Sequence, residues 1–364
     1  MKINVSSPNI EAGYDIIHFE ALGPEAAYLE EETEKAKQQH MLSESHACLI
    51  TPDNVQTFLK NNPEASLPDI ISTKTHSILP ESYINSGRRS IITRSAGYDH
   101  FEHLVHKANI TSLREYCVNA VAQTAMKFIY AATGMLNHYE MNSTTFERKC
   151  SSTFMELGRH RMLTVFGVGK IGKCIYDLAE ANGLTVRGVD IRQDELNRLY
   201  NGTVRFISKE KAVATSDIIV NAMNLTKDRE NAFHNVGYFS NGYLSKAEKE
   251  MIFINVTRGE IAPESVLLNL YDSGRIIGIG LDVFSNESAF ARALIGEVSN
   301  GNDFSAAREL IRRSVERSAN IYVQPHQAFN SDVAVKTKAA EAIKHVISWY
   351  RNNGRHFDEQ LPYY

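Results

Sequence analysis

The chain has 364 residues, 43% hydrophobic and 23% charged, an ordinary globular balance at a length that predicts two domains. A formal net charge of −4 gives no electrostatic footing for nucleic acid or an anionic membrane. No apolar stretch approaches the roughly 18 residues needed to span a bilayer. The segment Met1-Lys2-Ile3-Asn4-Val5 lacks the apolar core of a signal peptide. Four cysteines, Cys48, Cys117, Cys150 and Cys174, are scattered without metal-type spacing, which points to reduced thiols in a cytoplasmic protein. Cys174, just beyond a glycine loop, is the one position where a reactive thiol is conceivable.

Up to about residue 117, short apolar runs alternate with polar, helix-like segments. The predicted strands are Ile3–Ser6, Ala47–Ile50, Ile70–Thr73 and Ser90–Thr93; the predicted helices are Pro24–Gln39, Asn54–Lys60 and Pro80–Ser86. Such alternation predicts a parallel sheet with helices on its faces. From Asn119 to Tyr139, apolar residues recur at helical spacing (Val121, Ala122, Ala125, Met126, Ile129, Ala132, Met135, Leu136), predicting one long helix.

A second strand–helix series follows, with strands predicted at Leu163–Phe166, Val186–Val189, Ile218–Asn221, Met251–Asn255, Gly278–Asp282 and Ile321–Gln324. Between the first two lies Gly167-Val168-Gly169-Lys170-Ile171-Gly172, opening a helix-like stretch to Asn182, and Asp190 ends the second run. A lone G-x-G-x-x-G is weak, but strand before, helix after and an acid at the end of the next strand make a dinucleotide-binding fingerprint. The first glycine permits the turn, the second lets backbone approach a pyrophosphate, and the third lets helix and strand pack closely. Asp190 would accept hydrogen bonds from the ribose hydroxyls and repel a 2′-phosphate, favouring NAD, although Arg192 two residues on softens that preference. The helix predicted at Asp332–Tyr350 and the polar tail Arg351–Tyr364 lie beyond this series, so the expected organisation is nested. Residues 118–328 form a nucleotide domain inserted into a domain made of 1–117 and 329–364, with a cleft expected between them.

Three residues stand just past strands of the nucleotide domain, where α/β sheets place ligands. Arg258, in Asn255-Val256-Thr257-Arg258-Gly259, offers paired donors for a carboxylate and its neighbouring carbonyl. Glu287 follows Gly278-Ile279-Gly280-Leu281-Asp282-Val283-Phe284, and His326 lies in Pro325-His326-Gln327-Ala328. A carboxylate beside an imidazole raises its pKa and fixes its tautomer, a pair suited to reversible proton transfer.

These motifs resemble those of the D-isomer-specific 2-hydroxyacid dehydrogenases, most of all the D-lactate dehydrogenase branch. The resemblance implies two doubly wound parallel-sheet α/β domains, a Rossmann NAD domain inserted into a flavodoxin-like substrate domain. It implies Gly167, Gly169, Lys170, Ile171, Gly172, Asp190, Thr257 and Asp282 as cofactor-binding residues, with Asp282 touching the nicotinamide carboxamide. It implies Arg258, Glu287 and His326 as the catalytic set, with Arg258 also gripping substrate. The loop Thr93-Arg94-Ser95-Ala96-Gly97-Tyr98-Asp99-His100 is similar to the family's carboxylate loop. The amides of Ala96 and Gly97 would hold the substrate carboxylate there, and Tyr116 matches an active-site tyrosine. Ala222 and Asn224 stand where the family usually has histidine and proline, and Ser288 where proline is common.

The implied activity is NAD-dependent hydride transfer between NADH and a small 2-keto acid, pyruvate and D-lactate first, with domain closure excluding water. The expected assembly is a homodimer through the NAD domain, with neither nucleic acid nor membrane as partner and no metal. A larger 2-keto acid, glyoxylate or hydroxypyruvate is the alternative substrate. An NAD-sensing corepressor-like binding protein is the non-enzymatic alternative, disfavoured by the short tail and the retained Arg, Glu and His. The stretch from Ser288 to Asn320 carries two helix-like segments and reads as a decorated surface loop.

Overall fold

The computed structural model describes residues 13–146, 148–149, 152–297 and 303–363. The chain forms two compact units, Met1–Cys117 with Ser331–Tyr364, and Val118–Asn330. Both are doubly wound α/β structures. Among the described residues, no helix is long and apolar enough to cross a membrane.

The first unit carries β1 (Ile16–His18), β2 (Cys48–Ile50), β3 (Ile70–Thr73), β4 (Ser90–Thr93) and β5 (Asn109–Ser112), all parallel, in the order β2-β1-β3-β4-β5. This is the flavodoxin-like order, with its switch point between β1 and β3. The strand predicted at Ile3–Ser6 lies outside the described residues, whereas β1 and β5 were not anticipated. One face of the sheet packs against helices Pro24–Gln38 and Asp332–Arg351 through Leu29, Ala339, Ile343 and Val346. The other face holds Phe19, Phe58, Ile71 and Ile110. The predicted polar tail is a correction: Phe357 and Leu361 are buried, the Leu361 N–H donates to the Ile110 carbonyl at 2.8 Å, and the Ser112 N–H donates to the Tyr363 hydroxyl at 2.7 Å. The tail thus takes up hydrogen-bonding groups along the edge strand β5, which an open sheet edge would leave unpaired.

The second unit carries β6 (Met162–Phe166), β7 (Thr185–Val189), β8 (Ile218–Asn221), β9 (Met251–Asn255), β10 (Ile276–Leu281) and β11 (Ile321–Val323), again parallel, in the order β11-β10-β9-β8-β6-β7. Beyond β7, Phe206 makes a single parallel bridge to Gly188. Counting that bridge as an outer strand gives the nucleotide-binding order 3-2-1-4-5-6, with β11 added. The runs MLTVF, IIVN and MIFIN are buried almost throughout, as strands covered on both faces require.

Two expectations about helices change. The long helix breaks into Val118–Thr133 and Leu136–Asn142, because Met135 adopts a left-handed conformation (φ 49°) after Gly134. Helices Glu287–Leu294 and Ser305–Val315 bury Phe290, Ala307 and Leu310 in the core of the unit, so that stretch is not surface decoration there. Residues 298–302 lie outside the described residues.

Candidate active site

The glycine loop sits at the switch point between β6 and β8. Gly167 has φ +83°, and a Cβ there would come within 2.7 Å of the Met223 backbone, in the segment following β8. A Cβ on Gly172 would overlap the Gly167 carbonyl, so this glycine lets the helix Lys170–Ala181 close onto the loop. Gly169 differs: a Cβ there meets nothing within 4 Å. Two glycines are therefore demanded by internal packing, and the middle one fronts open space at a helix N-terminus. That is the cradle a pyrophosphate fits, where backbone N–H groups and the helix dipole favour an anion. Lys170 and Ile171 form the first turn of that helix.

Asp190 follows β7, with its side chain only 7% exposed. Its carboxylate accepts the Val168 N–H at 2.8 Å and the Arg192 N–H at 2.9 Å, and the Arg192 guanidinium approaches to 4.0 Å. It therefore stiffens the glycine loop as well as standing where a ribose would be read. Thr257 joins a network at the ends of β8 and β9: Asn221 donates to Asn255 Oδ1 at 3.0 Å and to the Thr257 hydroxyl at 3.2 Å, and Asn255 donates to the Arg258 carbonyl at 2.9 Å. Cys174 gains no reactivity from its position, since burial pushes its thiol pKa up.

His326 Nδ1 lies 2.6 Å from Glu287 Oε2, with both side chains a little over one-third exposed. The other Glu287 oxygen accepts the Phe284 N–H at 3.1 Å. His326 has φ +51°, a left-handed conformation that a β-carbon disfavours. Its own N–H donates to the Asp282 carbonyl at 2.7 Å, holding that turn. Asp282, 1% exposed, ties the end of β10 to the same loop: Oδ1 accepts from Gln324 Nε2 at 2.6 Å and from the N–H groups of Gln327 and Ala328 at 2.8 and 3.0 Å. Burial raises its pKa, against the pull of Gln324, the nearby imidazole and those amides. Asp282 Oδ2 is buried and has no hydrogen-bond partner among the described residues, an acceptor suited to an amide N–H of a bound group.

The Arg258 loop is pressed against the Glu287 loop. A Cβ on Gly259 would overlap the backbone at Phe284 and Ser285, so only glycine permits the approach. Glu264 accepts the Ser285 N–H at 2.6 Å and Glu260 accepts the Asn286 N–H at 3.4 Å. Glu264 is half-buried, and partial desolvation raises its pKa. Arg258 Nη1 donates to the Thr257 carbonyl at 2.9 Å. Arg258, Glu287 and His326 are thus carried on three interlocked loops past β9, β10 and β11. Asn221, Asn255, Glu264 and Gln324 escaped sequence reasoning; only Asn255, inside the Asn-Val-Thr-Arg-Gly motif, carried a signal.

In the first unit, Ala96 and Gly97 follow β4 in an irregular loop. The Ser95 hydroxyl accepts or donates toward Thr93 at 2.9 Å and donates to the Gly97 carbonyl at 2.6 Å. Among the described residues, neither the Ala96 nor the Gly97 N–H donates a hydrogen bond, which leaves two adjacent donors at the C-terminal edge of the sheet. Tyr116 follows β5, and its N–H donates to Glu341 at 2.8 Å. Burial raises its phenol pKa well above the ordinary value.

Comparison with known proteins agrees with this architecture. A D-lactate dehydrogenase from Treponema pallidum is 25% identical over 260 residues, 69% of this chain and 72% of its own. One from Streptococcus agalactiae is 25% identical over 312 residues, 83% and 86% of the two chains. The structure of Aquifex aeolicus D-lactate dehydrogenase with NAD and lactic acid superposes with a TM-score of 0.71 at 20% identity, covering 93% of this chain and 96% of that one. The model of the "D-isomer specific 2-hydroxyacid dehydrogenase, NAD binding domain" matches residues 127–328, more than half the chain. With a glycine loop, a buried orphan acceptor and an imidazole–carboxylate pair that fit NAD, the chain belongs to the D-isomer specific 2-hydroxyacid dehydrogenase family.

Proposed function

We propose that this NAD-dependent D-2-hydroxyacid dehydrogenase reduces small 2-keto acids of the pyruvate type, with His326, Glu287 and Arg258 as the catalytic residues. The observation that carries the reading is the 2.6 Å contact between His326 Nδ1 and Glu287 at the C-terminal edge of the nucleotide-unit sheet. NADH, when bound, supplies the hydride for C2 of the keto acid. His326, with Nδ1 committed to Glu287, gives the Nε2 proton to the carbonyl oxygen as negative charge develops there. Glu287, 2.6 Å from Nδ1, fixes the orientation of the ring and leaves Nε2 to face the carbonyl oxygen. Arg258 places a guanidinium against the carbonyl and carboxylate oxygens, stabilising charge on the oxygen before the proton arrives. In the reverse direction His326 accepts the hydroxyl proton.

Gly167, Gly169, Lys170, Ile171 and Gly172 would cradle the pyrophosphate, Asp190 would read the ribose, and Thr257 would support that side of the site. Asp282 Oδ2 would accept from the carboxamide and select the ring face. The Ala96 and Gly97 amides would hold the substrate carboxylate, with Tyr116 beside it. The names of the D-lactate dehydrogenase relatives support pyruvate as the parent substrate. Family likeness supports a homodimer through the nucleotide unit. The free thiols Cys48, Cys117 and Cys174 fit a reducing compartment, and the proposal includes the cytoplasm. Steady-state NADH oxidation over a panel of 2-keto acids tests the reading: turnover of small members is expected, and no turnover with any of them would overturn it.

A further inference from the structure

Strand β8 ends on Asn221, a polar residue closing the buried run Ile218-Ile219-Val220, and its side chain is itself fully buried. A primary amide withdrawn from water destabilises the fold unless its N–H groups and oxygen find partners. Here all of them do. Asn221 Nδ2 donates to Asn255 Oδ1 at 3.0 Å and to the Thr257 hydroxyl at 3.2 Å, and Oδ1 accepts the Met223 N–H at 3.1 Å. Asn255 is its register partner on β9 and is 1% exposed. Asn255 Oδ1 also accepts the Thr257 N–H at 3.3 Å, and Nδ2 donates to the Arg258 carbonyl at 2.9 Å. These main-chain partners set which way each amide points, since a backbone N–H meets Oδ1 and a backbone carbonyl meets Nδ2.

An apolar side chain would fill the end of a buried strand without such demands, so the use of the amide lies in what it joins. Met223 is the backbone that faces the glycine loop, where a Cβ on Gly167 would lie 2.7 Å from its N and Cα. Thr257 is the residue read as supporting the cofactor side, and its carbonyl accepts Arg258 Nη1 at 2.9 Å. The Arg258 carbonyl is held by Asn255. The arginine is thus gripped at its backbone and at its guanidinium by two residues that each bond to Asn221. One side chain therefore stands between the wall of the dinucleotide cradle and the loop that presents the guanidinium.

We propose that Asn221 is a positioning residue that keeps Arg258 in register with the glycine loop, so that NADH binding and polarisation of the keto carbonyl depend on one buried amide. The inference rests on the reading of Arg258 as the group that polarises the carbonyl. Asn221 acts through Met223, Thr257 and Asn255, and the proton still moves through His326.

The test is a double-mutant cycle with NADH and the small 2-keto acid turned over fastest. Asn221→Leu, Arg258→Lys and the double variant are compared for kcat and for KM of NADH, with the thermal midpoint measured beside each. Asn221→Leu should lower kcat about tenfold, because buried partners are left unpaired and the guanidinium is displaced, and should raise KM for NADH several-fold. In the Arg258→Lys background the same substitution should lower kcat by much less, because the group that Asn221 registers is gone. A merely structural role would lower the thermal midpoint and the active fraction, leave KM for NADH unmoved and give the same factor in both backgrounds. An unmoved KM, or equal factors, overturns the proposal. If Asn221→Leu does not fold, Asn221→Asp reads the same link: it keeps the acceptor for the Met223 N–H and loses the donor to Asn255, so kcat should fall by a larger factor than KM for NADH rises. An unchanged kcat in that variant overturns the proposal as well. A normal rate in Arg258→Lys alone sinks the arginine reading together with this inference, whereas equal factors sink the inference and leave the arginine reading standing.

Discussion

Beside the site in the nucleotide unit, the charges withdrawn wholly or partly from solvent are carboxylates. Asp282 and Glu264 are each spent on backbone N–H groups of the loops that carry His326 and Glu287. In the first unit the buried charges at the corresponding sheet edge are of both signs, Arg94 and Lys338, with the partly buried Lys74, set against Glu25 and Glu20. One doubly wound architecture thus uses buried charge in two ways. A carboxylate saturated by N–H donors locks loop geometry, as proton transfer to a defined atom requires. Opposite charges set against one another tie the ends of β3 and β4 to the two helices that carry Glu25 and Lys338.

The division breaks if chemistry does not reside on the nucleotide unit, and His326→Ala gives the largest effect. Loss of the general acid should lower kcat by roughly 10²–10⁴-fold while NADH binding persists. Near-normal turnover by stopped-flow or steady-state assay would remove His326 from the role. Glu287→Gln should lie between that variant and the wild type, because an amide holds the His326 ring less firmly than the carboxylate at 2.6 Å.

Acid stability separates the units next. His18 and His345 are both buried in the first unit. Burial holds the His18 pKa well below its ordinary value, and Arg94 and His46 lower it further; burial brings His345 to about 4, with Lys344 against it and Glu359, Glu115 and Asp358 only partly offsetting. A histidine whose folded pKa is depressed stays neutral in the fold, while the unfolded chain takes up a proton below about pH 6.5. Its stabilising contribution is therefore intact above pH 6.5 and lost as pH falls from 6.5 towards 4. For His345 the loss is of order 3 kcal/mol at the bottom of that window. The chain's single tryptophan, Trp349, is buried in the same unit and donates to the Ser90 hydroxyl at 2.8 Å, so its fluorescence reports this unit. His345→Gln should flatten the dependence of its unfolding midpoint between pH 6.5 and 4; an unchanged slope would assign the acid sensitivity elsewhere.

The units also differ in how far they can be read from sequence. Strands β6, β8 and β9 are buried on both faces, so their apolar runs announce them. Strand β5 reads Asn-Ile-Thr-Ser and buries Asn109, Thr111 and Ser112, so hydrophobicity alone misses it. The catalytic motifs were legible because residues that act together lie just past successive strands. The left-handed backbone at His326 and the caps from Glu260 and Glu264 were not, since both depend on how separate loops meet. The charge cluster of the first unit was least legible: positions 25, 74, 94 and 338 are far apart in the chain, and each alone resembles an ordinary surface charge.

Asp190 gives the smallest effect and the finest distinction. If it serves only to exclude a 2′-phosphate, Asp190→Ala should narrow the NADH-to-NADPH ratio of kcat/KM and leave NADH use untouched. The structure argues for a second contribution, because the same carboxylate accepts the Val168 N–H inside the glycine loop at 2.8 Å. Removing it frees a buried donor and loosens the cradle, so KM for NADH should also rise several-fold. Arg192, 4.0 Å from Asp190 and 3.5 Å from Glu195, would then face the 2′ position without the Asp190 charge and attract a phosphate there. In Asp190→Ala/Arg192→Ala the NADPH gain should therefore vanish while the raised KM for NADH stays. A gain that survives loss of Arg192 would mean that repulsion by Asp190, rather than attraction by its neighbour, sets the cofactor preference.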